Sequence, residues 1–491
     1  MARMGMFVVA TALFVSVATR ADAAEYYVDA SAGGAGDGTE GNPWASVQDA
    51  IDEGDVAAGD TVWLMSGDYG ELRIESANNS DTITIAAVNG QEPRFTSVLV
   101  RDSSAWTLRG LHVSGENTGD LVDIAGDSEG VQVEGCVLMS VADASSWSAQ
   151  DWINRASNGI SVDGTRMTIR NNLLMNVGYG ISVSADHSLI EGNLIENFSR
   201  DALRGLGDHT VFQYNTVKNC YAVDDHHDDG FQSWSVGDGG VGTGEVVGIV
   251  LRGNTFINYE DPNQPHRGDL QGIGCFDGTF VDWVVENNVV VTDHWHGITL
   301  LGARNSTITN NTVLDLNQEG PGPPWISVND HKNGTPPTGC VVRNNLTTAL
   351  NNSDQVVEEN NITFSMDETA AFFVDFDNFD LHLLEAAAAV DTGTTAGAPA
   401  LDRDLVPRPQ GDGIDVGAYE WHDGSVEPLP SNGGVPTVEP PGSTGNSRGC
   451  AVQQGQGQGQ PGAWLVLLVL AALLRRRERL RDDAPDARAE A

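Results

Sequence analysis

The sequence predicts an all-β fold, a solenoid of short parallel strands, and a recurring asparagine is the first observation behind that prediction. Seven segments share an apolar residue, two further residues, an asparagine, one more residue and a second apolar residue. The asparagines are Asn172, Asn193, Asn215, Asn254, Asn288, Asn311 and Asn345. They lie 21, 22, 39, 34, 23 and 34 residues apart, so the short spacings define one coil.

A second short strand recurs between the asparagines. Its segments begin at Asn158, Tyr179, Asp201, Asp229, Gln271, His296 and Trp325. Apolar and other residues alternate inside them, which is typical of a strand with one buried face. Coils stacked one strand spacing apart form a right-handed parallel β-helix, in which the asparagines build an internal amide ladder. The alternative, a β-sandwich with accidental periodicity, gives no reason for a recurring asparagine.

The chain begins with features of a secretory signal in residues 1–23: a basic start at Arg3, an apolar run over 6–18 and an A-x-A cleavage site over 21–23. The mature start resembles the first segment of many secreted β-helix proteins. There we expect a short helix over 47–53, which caps the open end of the solenoid, and then a strand over 61–65. The solenoid is expected to occupy residues 24–364.

Three further segments follow the predicted solenoid. Residues 365–422 resemble the closing segment of surface-anchored bacterial β-helices and are expected to form a C-terminal cap, and 423–449 read as a flexible linker rich in Pro, Gly and Ser. Residues 450–491 resemble the tripartite C-terminal sorting signals of myxobacteria, with Cys450 as the anchor residue. The apolar run 463–474 is short for a span of about 20 residues, although a stop-transfer anchor is the alternative. Both readings attach the secreted protein to the outer membrane, on its extracellular face.

The composition excludes one class of partner. The formal charge is −43 and only two lysines, Lys218 and Lys332, are present, so nucleic acid and anionic membrane surfaces are not expected to bind. An acidic polysaccharide needs a cation or a local arginine group to screen the groove. Four of the five cysteines lie in or beside strand patterns and are expected to be buried thiols, with disulfides as the alternative. We expect a monomer.

The long coils carry insertions at 224–246, 259–269 and 319–325, which we expect to wall in a groove. In the alignment of second strands, Asp201, Asp229, Gln271 and His296 share one column. Arg204, Gln232 and Thr299 share a second column that faces outward, and Trp234 also faces outward.

An acidic cluster is predicted in this groove. Asp201 and Asp229 should lie on adjacent coils about 4.8 Å apart, joined by Asp228, His226 and His227 from the preceding loop. Carboxylates this close either share a proton, which suits an acid/base glycosidase, or hold a cation such as Ca²⁺, which suits a lyase.

The segments SRDALRG and HDDGFQ resemble the working strands of parallel β-helix polysaccharide enzymes. In polygalacturonase-like hydrolases, aspartates precede the small residue on successive coils, and pectate-lyase-like enzymes use a comparable cluster for Ca²⁺. The hydrolases' Asn-Thr-Asp triplet is absent, and HWHGIT, which resembles their Gly-His-Gly segment, lies one coil further on. The basic residue that follows the calcium cluster in the lyases has no lysine counterpart here, so the resemblance implies Arg267 or His266 in its place.

The resemblance implies a secreted polysaccharide-active protein. In a lyase acting on a uronate polymer, Asp201, Asp228 and Asp229 would hold Ca²⁺, Arg204 would orient the sugar, and His296, His266 or Lys218 would abstract the proton. In a hydrolase, Asp229 and Asp201 would be acid and base. We expect Trp234, Gln232, His266 and Arg267 to bind substrate. A carbohydrate-binding or adhesive stalk without catalysis is the third hypothesis, since the fold alone does not decide among them.

Overall fold

The solenoid has three faces of parallel strands, and a computed structural model describes it over residues 23–34, 36–52 and 56–424. Within these ranges, face A is one continuous sheet of parallel strands. Its strands are Glu25–Val28, Thr61–Leu64, Asn78–Ala87, Ser104–Arg109, Gln132–Glu134, Thr168–Arg170, Leu189–Glu191, Val211–Gln213, Val250–Arg252, Val284–Glu286, Thr307–Thr309, Val341–Arg343 and Val357–Glu359.

Faces B and C join in the first coils, where the long strands Gly67–Glu75 and Pro93–Arg101 run through both. The further strands of face B are His112–Ser114, Val137–Met139, Leu173–Val177, Leu194–Phe198, Thr216–Cys220, Thr255–Ile257, Val289–Thr292, Thr312–Asp315, Leu346–Thr347 and Ile362–Thr363. Those of face C are Asp120–Ala125, Asn158–Val162, Ile181–Val183, Leu203–Gly205, Asp229–Trp234, Gln271–Asp277, His296–Leu301, Trp325–Asn329 and Ala349–Leu350. The predicted all-β solenoid is confirmed.

Side chains at equivalent positions of successive coils stack inside the solenoid. Along face C the inward stack is Ile160, Ile181, Leu203, Phe231, Ile273, Ile298 and Ile326. Every member is buried, so the stack withdraws a continuous column of apolar surface from water. Glycine precedes many of these residues because a Cβ there would collide with the next coil; at Gly230 it would come within 2.7 Å of the carbonyl oxygen of Gly272.

The predicted asparagine ladder is confirmed. Asn172 Nδ2 donates to Asn193 Oδ1 at 2.9 Å, Asn193 Nδ2 to Asn215 Oδ1 at 2.9 Å, and the chain of amides continues through the other predicted positions. Asn361 extends it by one more coil. Each buried amide also bonds backbone groups, so the polar backbone atoms at the turn between faces A and B have hydrogen-bond partners.

The helices are short and lie outside the coils. They are Val47–Asp52, Ala149–Arg155 and Thr369–Phe372, with 3₁₀ turns at Met366–Glu368 and Phe376–Asn378. Val47 and Ala50 of the first helix are buried in the same core as the first coils, as a capping helix requires. Paired short strands lie at Val236–Gly237 with Gly240–Val241, Glu245–Val247 with Thr279–Val281, and Phe373–Asp375 with Asp380–Leu383.

The segment predicted as a C-terminal cap packs along one flank of the solenoid. Its apolar residues share a cluster with outward residues of face B, such as Ile257, Val289 and Leu314. Asparagine side chains of the A-to-B turns donate to its backbone, with Asn287 Nδ2 bonding the Leu401 carbonyl at 2.7 Å. The segment therefore covers several consecutive coils from the side.

Cys136, Cys220, Cys275 and Cys340 are free, buried thiols, as expected. Among the described residues, none of the helices has the length and apolarity needed to cross a membrane. The predicted secretory signal, linker, sorting signal and anchor residue Cys450 fall outside the described residues and stay predictions.

Candidate functional site

The two predicted columns on face C are present in the strand register. Asp229 pairs with Gln271, and the backbone N–H of Asp229 donates to Asp201 Oδ1 at 3.1 Å. In the second column Arg204 pairs with Gln232, Gln232 with Gly274, and Gly274 with Thr299. The structure therefore brings Asp201, Asp228, Asp229, Arg204 and Gln232 together, while His296 lies on the same face further along.

Arg204 is the cationic group of this site. Its Nε donates to Asp201 Oδ2 at 2.6 Å, and its Cζ lies 3.7 Å from the ring centroid of Tyr179 and 5.3 Å from that of Trp234. Burial acts to lower the pKa of Arg204, but the charge of Asp201 and the contact with Tyr179 outweigh it and raise the pKa. The guanidinium group is therefore a fixed cation clamped between two aromatic rings.

Asp229 holds Gln232 in the same way that Asp201 holds Arg204. Gln232 Nε2 donates to Asp229 Oδ2 at 2.8 Å, while Asp229 Oδ1 is buried without a hydrogen bond. This second oxygen occupies the place that a side chain on Gly274 would fill, and the unpartnered Gln271 Oε1 lies 3.0 Å from the same place. Burial first, and then the charge of Asp201, raise the pKa of Asp229 well above its usual range. A protonated carboxyl group fits this position.

Asp228 is the third member of the acidic cluster. It is 3% exposed, and its Oδ1 has no hydrogen bond within the described structure. Burial and the charge of Asp201 raise its pKa well above the usual range. A retained proton or a bound cation, the two arrangements considered for close carboxylates, would each stabilise this buried oxygen.

The donors do not fit a calcium ion as they stand. Within the described ranges, no group of three or more His, Cys, Asp or Glu side chains is arranged to hold a metal. Both oxygens of Asp201 are already bonded, one by Arg204 and one by the backbone of Asp229. Calcium binding at this cluster stays a prediction.

His296 lies among aromatic side chains. Its Nδ1 is 2.9 Å from Thr299 Oγ1, a hydroxyl that also accepts from Trp325 Nε1 at 3.3 Å. Burial and the nearby His227 lower the pKa of His296 to about 4, and the pKa of His294 is likewise about 4. Both imidazoles are therefore neutral near pH 7. Three strand spacings, or about 14 Å, separate the strand of His296 from that of Arg204.

Three predicted site residues lie away from this cluster. Lys218 is on face B, where its Nζ contacts Glu260 at 2.9 Å and Glu196 at 3.9 Å. His266 Nε2 is 3.4 Å from the Trp147 carbonyl. Arg267 donates to the Pro262 carbonyl at 2.9 Å and stacks on Tyr259. None of the partners named here belongs to the acidic cluster or is Arg204.

Tyr179 is a site residue that the sequence interpretation missed. Its hydroxyl accepts from Arg200 at 3.2 Å and lies 3.2 Å from His226 Nε2. Burial lowers the pKa of His226, and the charge of Asp201 offsets this only in part. Tyr179 heads YGISV, aligned with the segment that begins at Asp201, so that alignment was the signal that could have identified it.

Loops flank face C on both sides. The insertion predicted at 224–246 is two loops, because the face C strand Asp229–Trp234 lies inside that range. One loop precedes the strand and carries His226 and His227, and the other contains the hairpin Val236–Val241. The expected insertions at 259–269 and 319–325 both fall before face C strands, Gln271–Asp277 and Trp325–Asn329. Loops therefore border the outward columns on both sides, and we call the space above these columns, between the loops, the face C groove.

The class of this protein is defined by its coil. A family model described as "Right handed beta helix region" matches residues 158–345, which lie within the parallel solenoid described above. No curated protein matches it.

Solved structures similar to the chain include pectate lyase Pel9A, with 14% identity over 82% of this chain and 97% of that one, at a TM-score of 0.46. The family 6 alginate lyase AlyGC is 14% identical over 64% of this chain and 49% of that one, with a TM-score of 0.38. PfbA, a surface adhesin of Streptococcus pneumoniae, is 12% identical over 65% of this chain and 88% of that one, with a TM-score of 0.38. These likenesses are of fold and do not bear on activity.

Proposed function

We propose that this protein is polysaccharide-active and that its face C groove binds a chain containing uronate units and cleaves it by β-elimination. The clamp of Arg204 between Tyr179 and Trp234 carries the proposal. A planar cation bordered by aromatic faces suits a ring-shaped ligand that bears a carboxylate, because the guanidinium fork binds the carboxylate while the rings pack against the sugar.

Arg204 would supply the charge stabilisation. β-Elimination removes a proton from the carbon next to the sugar carboxylate, and neutralising that carboxylate makes the proton more acidic. Asp201 holds the guanidinium through Nε, so the other guanidinium nitrogens can face the substrate. Gln232, held by Asp229, offers a further hydrogen-bonding group beside it. In this scheme both aspartates are positioning residues.

Tyr179 and His226 are the proton-transfer groups nearest to the clamp. His226, whose pKa is lowered by burial, would accept the carbon-bound proton while the bond to the leaving oxygen breaks and a double bond forms. The Tyr179 hydroxyl would donate a proton to the leaving oxygen. His296, one of the three expected bases, begins a strand about 14 Å from that of Arg204, which is too far for a sugar whose carboxylate binds Arg204.

Hydrolysis is the second candidate, and one observation favours it. Asp201 is paired with a guanidinium group, whereas the adjacent Asp229 has a strongly raised pKa. A carboxyl group with a raised pKa next to one that is paired with arginine suits the acid and base of a glycosidase. Both side chains are nearly inaccessible, at 1% and 0% exposure, which is why we place elimination first.

The test is digestion of a panel of uronate-containing and neutral polysaccharides by the full protein, with Ca²⁺ and with a chelator. Absorbance of unsaturated products and reducing ends are followed in parallel. We expect unsaturated products that Arg204→Ala abolishes and that the control Arg109→Ala, on face A, leaves unchanged. Loss of activity in chelator would support the calcium prediction.

The remaining outcomes decide between the alternatives. Reducing ends without unsaturation would replace elimination by hydrolysis. Binding without either product would make the groove a recognition site, as in the adhesive hypothesis. No binding to any polysaccharide would refute the proposed function.

A further inference from the structure

Trp295 is an exposed aromatic side chain at the edge of the groove. It is 43% exposed, and among the described residues the other large hydrophobic side chains exposed to this degree are valines. Trp106, Trp152 and Trp283 are, by contrast, fully buried. Covering an exposed indole with a ligand withdraws apolar surface from water, so the ring of Trp295 is available to bind a ring-shaped ligand.

A second tryptophan supports Trp295 from the next coil. The rings of Trp295 and Trp325 are nearly parallel, with planes 14° apart and centroids 6.4 Å apart. Trp325 is fixed by its Nε1 bond to Thr299 and by its backbone N–H, which donates to the Trp295 carbonyl at 2.8 Å. Trp325 stacks on Trp295 and helps to hold it in place, which lowers the entropy lost when a ring-shaped ligand packs on the exposed indole.

The two histidines that contact these tryptophans are uncharged near pH 7. His294 contacts Trp295 edge-on with ring centroids 5.7 Å apart, and His296 contacts Trp325 edge-on with ring centroids 5.4 Å apart. Burial lowers the pKa of both histidines to about 4, so neither carries a charge there. This end of the groove therefore differs from the end at Arg204, where a fixed cation faces the ligand.

We propose that Trp295, supported by Trp325, is a second sugar-binding subsite that stacks a neutral pyranose unit of the same polysaccharide chain. The inference rests on the proposed function and deepens it. The strand that His296 begins lies three strand spacings from that of Arg204, about 14 Å along the solenoid axis, so one extended chain in the groove can contact both ends. The C–H faces of a pyranose pack on an indole without needing a charge.

The test compares a disaccharide with long oligosaccharides cut from a polysaccharide that the wild-type protein binds, using calorimetry. We expect Trp295→Ala to weaken binding of the long chains about tenfold and to leave disaccharide binding unchanged, because one aromatic stack is lost. Trp295→Phe should keep part of the affinity. Val374→Ala, at a valine that is 53% exposed in the flanking segment, is the matched control and should have no effect.

The outcomes separate this inference from the proposed function. If Arg204→Ala removes binding but Trp295→Ala binds long chains as the wild type does, the Trp295 subsite is refuted and the proposed function stands. If Trp295→Ala weakens both ligands equally, it is not a separate subsite. If the wild-type protein binds no polysaccharide, both proposals fail.

Discussion

Asp229 shows how one buried carboxyl group links the stability of the site to pH. One of its oxygens accepts a hydrogen bond from Gln232, and the other is buried without a partner. Keeping the proton avoids an ionised oxygen in that place, and this is why the pKa of Asp229 lies well above its usual value near 4. The folded protein therefore binds more protons here than the unfolded chain does.

Asp229→Asn should stabilise the protein increasingly as pH rises. The raised pKa means that the wild-type carboxyl group contributes fully below about pH 4 and loses its contribution as pH rises through the folded-state pKa, whereas asparagine does not titrate. Urea unfolding at pH 4, 5.5 and 7 measures the difference. Asp143→Asn, at an exposed acid whose pKa is lowered by hydrogen bonds from Ser145, is the control. A difference that shrinks with rising pH would contradict the assignment.

Tyr179→Phe tests the proton-transfer role directly. The ring under Arg204 remains, so substrate binding and KM should change little, but the hydroxyl shared by His226 and Arg200 is lost. We expect kcat to fall about a hundredfold or more, which is the usual size of a general acid/base contribution. A KM rise with unchanged kcat would instead assign Tyr179 to binding alone.

At the scale of the elements, the asparagine ladder holds the A-to-B turns in register. Asn254 illustrates the bonding: its Oδ1 accepts from the backbone and side chain of Asn215, and its Nδ2 donates to the Phe212 carbonyl and to Asn288. All four contacts are buried, so none of the partners has water as a substitute.

Replacing Asn254 by Ala should lower the free energy of unfolding by about 3 kcal/mol or more, because several buried donors and acceptors lose their partners together. Asn361→Ala, at the half-buried end of the same ladder, should cost clearly less. Chemical denaturation of both variants measures this. If the two variants lose the same free energy of unfolding, the stabilisation by a ladder asparagine does not depend on how deeply it is buried.

At the scale of the whole molecule, the flanking C-terminal segment is fastened by a buried ion pair. Arg408 and Glu420 are 2.6 Å apart, with side chains 0% and 1% exposed. Arg408 also bonds Asn287 of the solenoid, so the pair connects the segment to the coils. Burial lowers the pKa of Arg408 and raises that of Glu420, and the attraction between the two charges opposes both shifts.

Glu420→Ala should therefore destabilise the protein by about 3–5 kcal/mol, because it leaves the Arg408 charge buried without its ion-pair partner. Glu359→Ala breaks the looser Arg343–Glu359 pair, which is 3.6 Å long with a carboxylate 44% exposed, and should cost no more than about 1 kcal/mol. Thermal and chemical unfolding of the two variants test this, and similar losses would mean that the pair at Arg408 is not an effective fastening.

His382 adds a pH-dependent contact within the same segment. Its ring nitrogens lie 2.6 Å from Asp380 and 2.8 Å from Asp404, beside Tyr419, and the hydrogen bond with Asp404 is the main cause that raises its pKa to about 9. The stabilisation is complete below about pH 6.5 and is lost as pH rises through about 9. Between these values the wild-type melting temperature should fall relative to that of His382→Gln. If the melting temperatures of the wild type and of His382→Gln change with pH in parallel, the contact is not a source of stability.

The sequence by itself determined the coil, the asparagine ladder and the outward columns, because each of these is a periodic pattern along the chain. In a strand, successive side chains point to opposite faces, so the period shows which side chains point outward. It also indicated that Asp201, Asp229 and Arg204 share a face. Only the tertiary structure decided which groups meet: Tyr179 and Trp234 around Arg204, Lys218 on another face, and His296 too far along the groove. The reason is that contacts between coils depend on side-chain direction, burial and the path of inserted loops, and none of these repeats in the sequence.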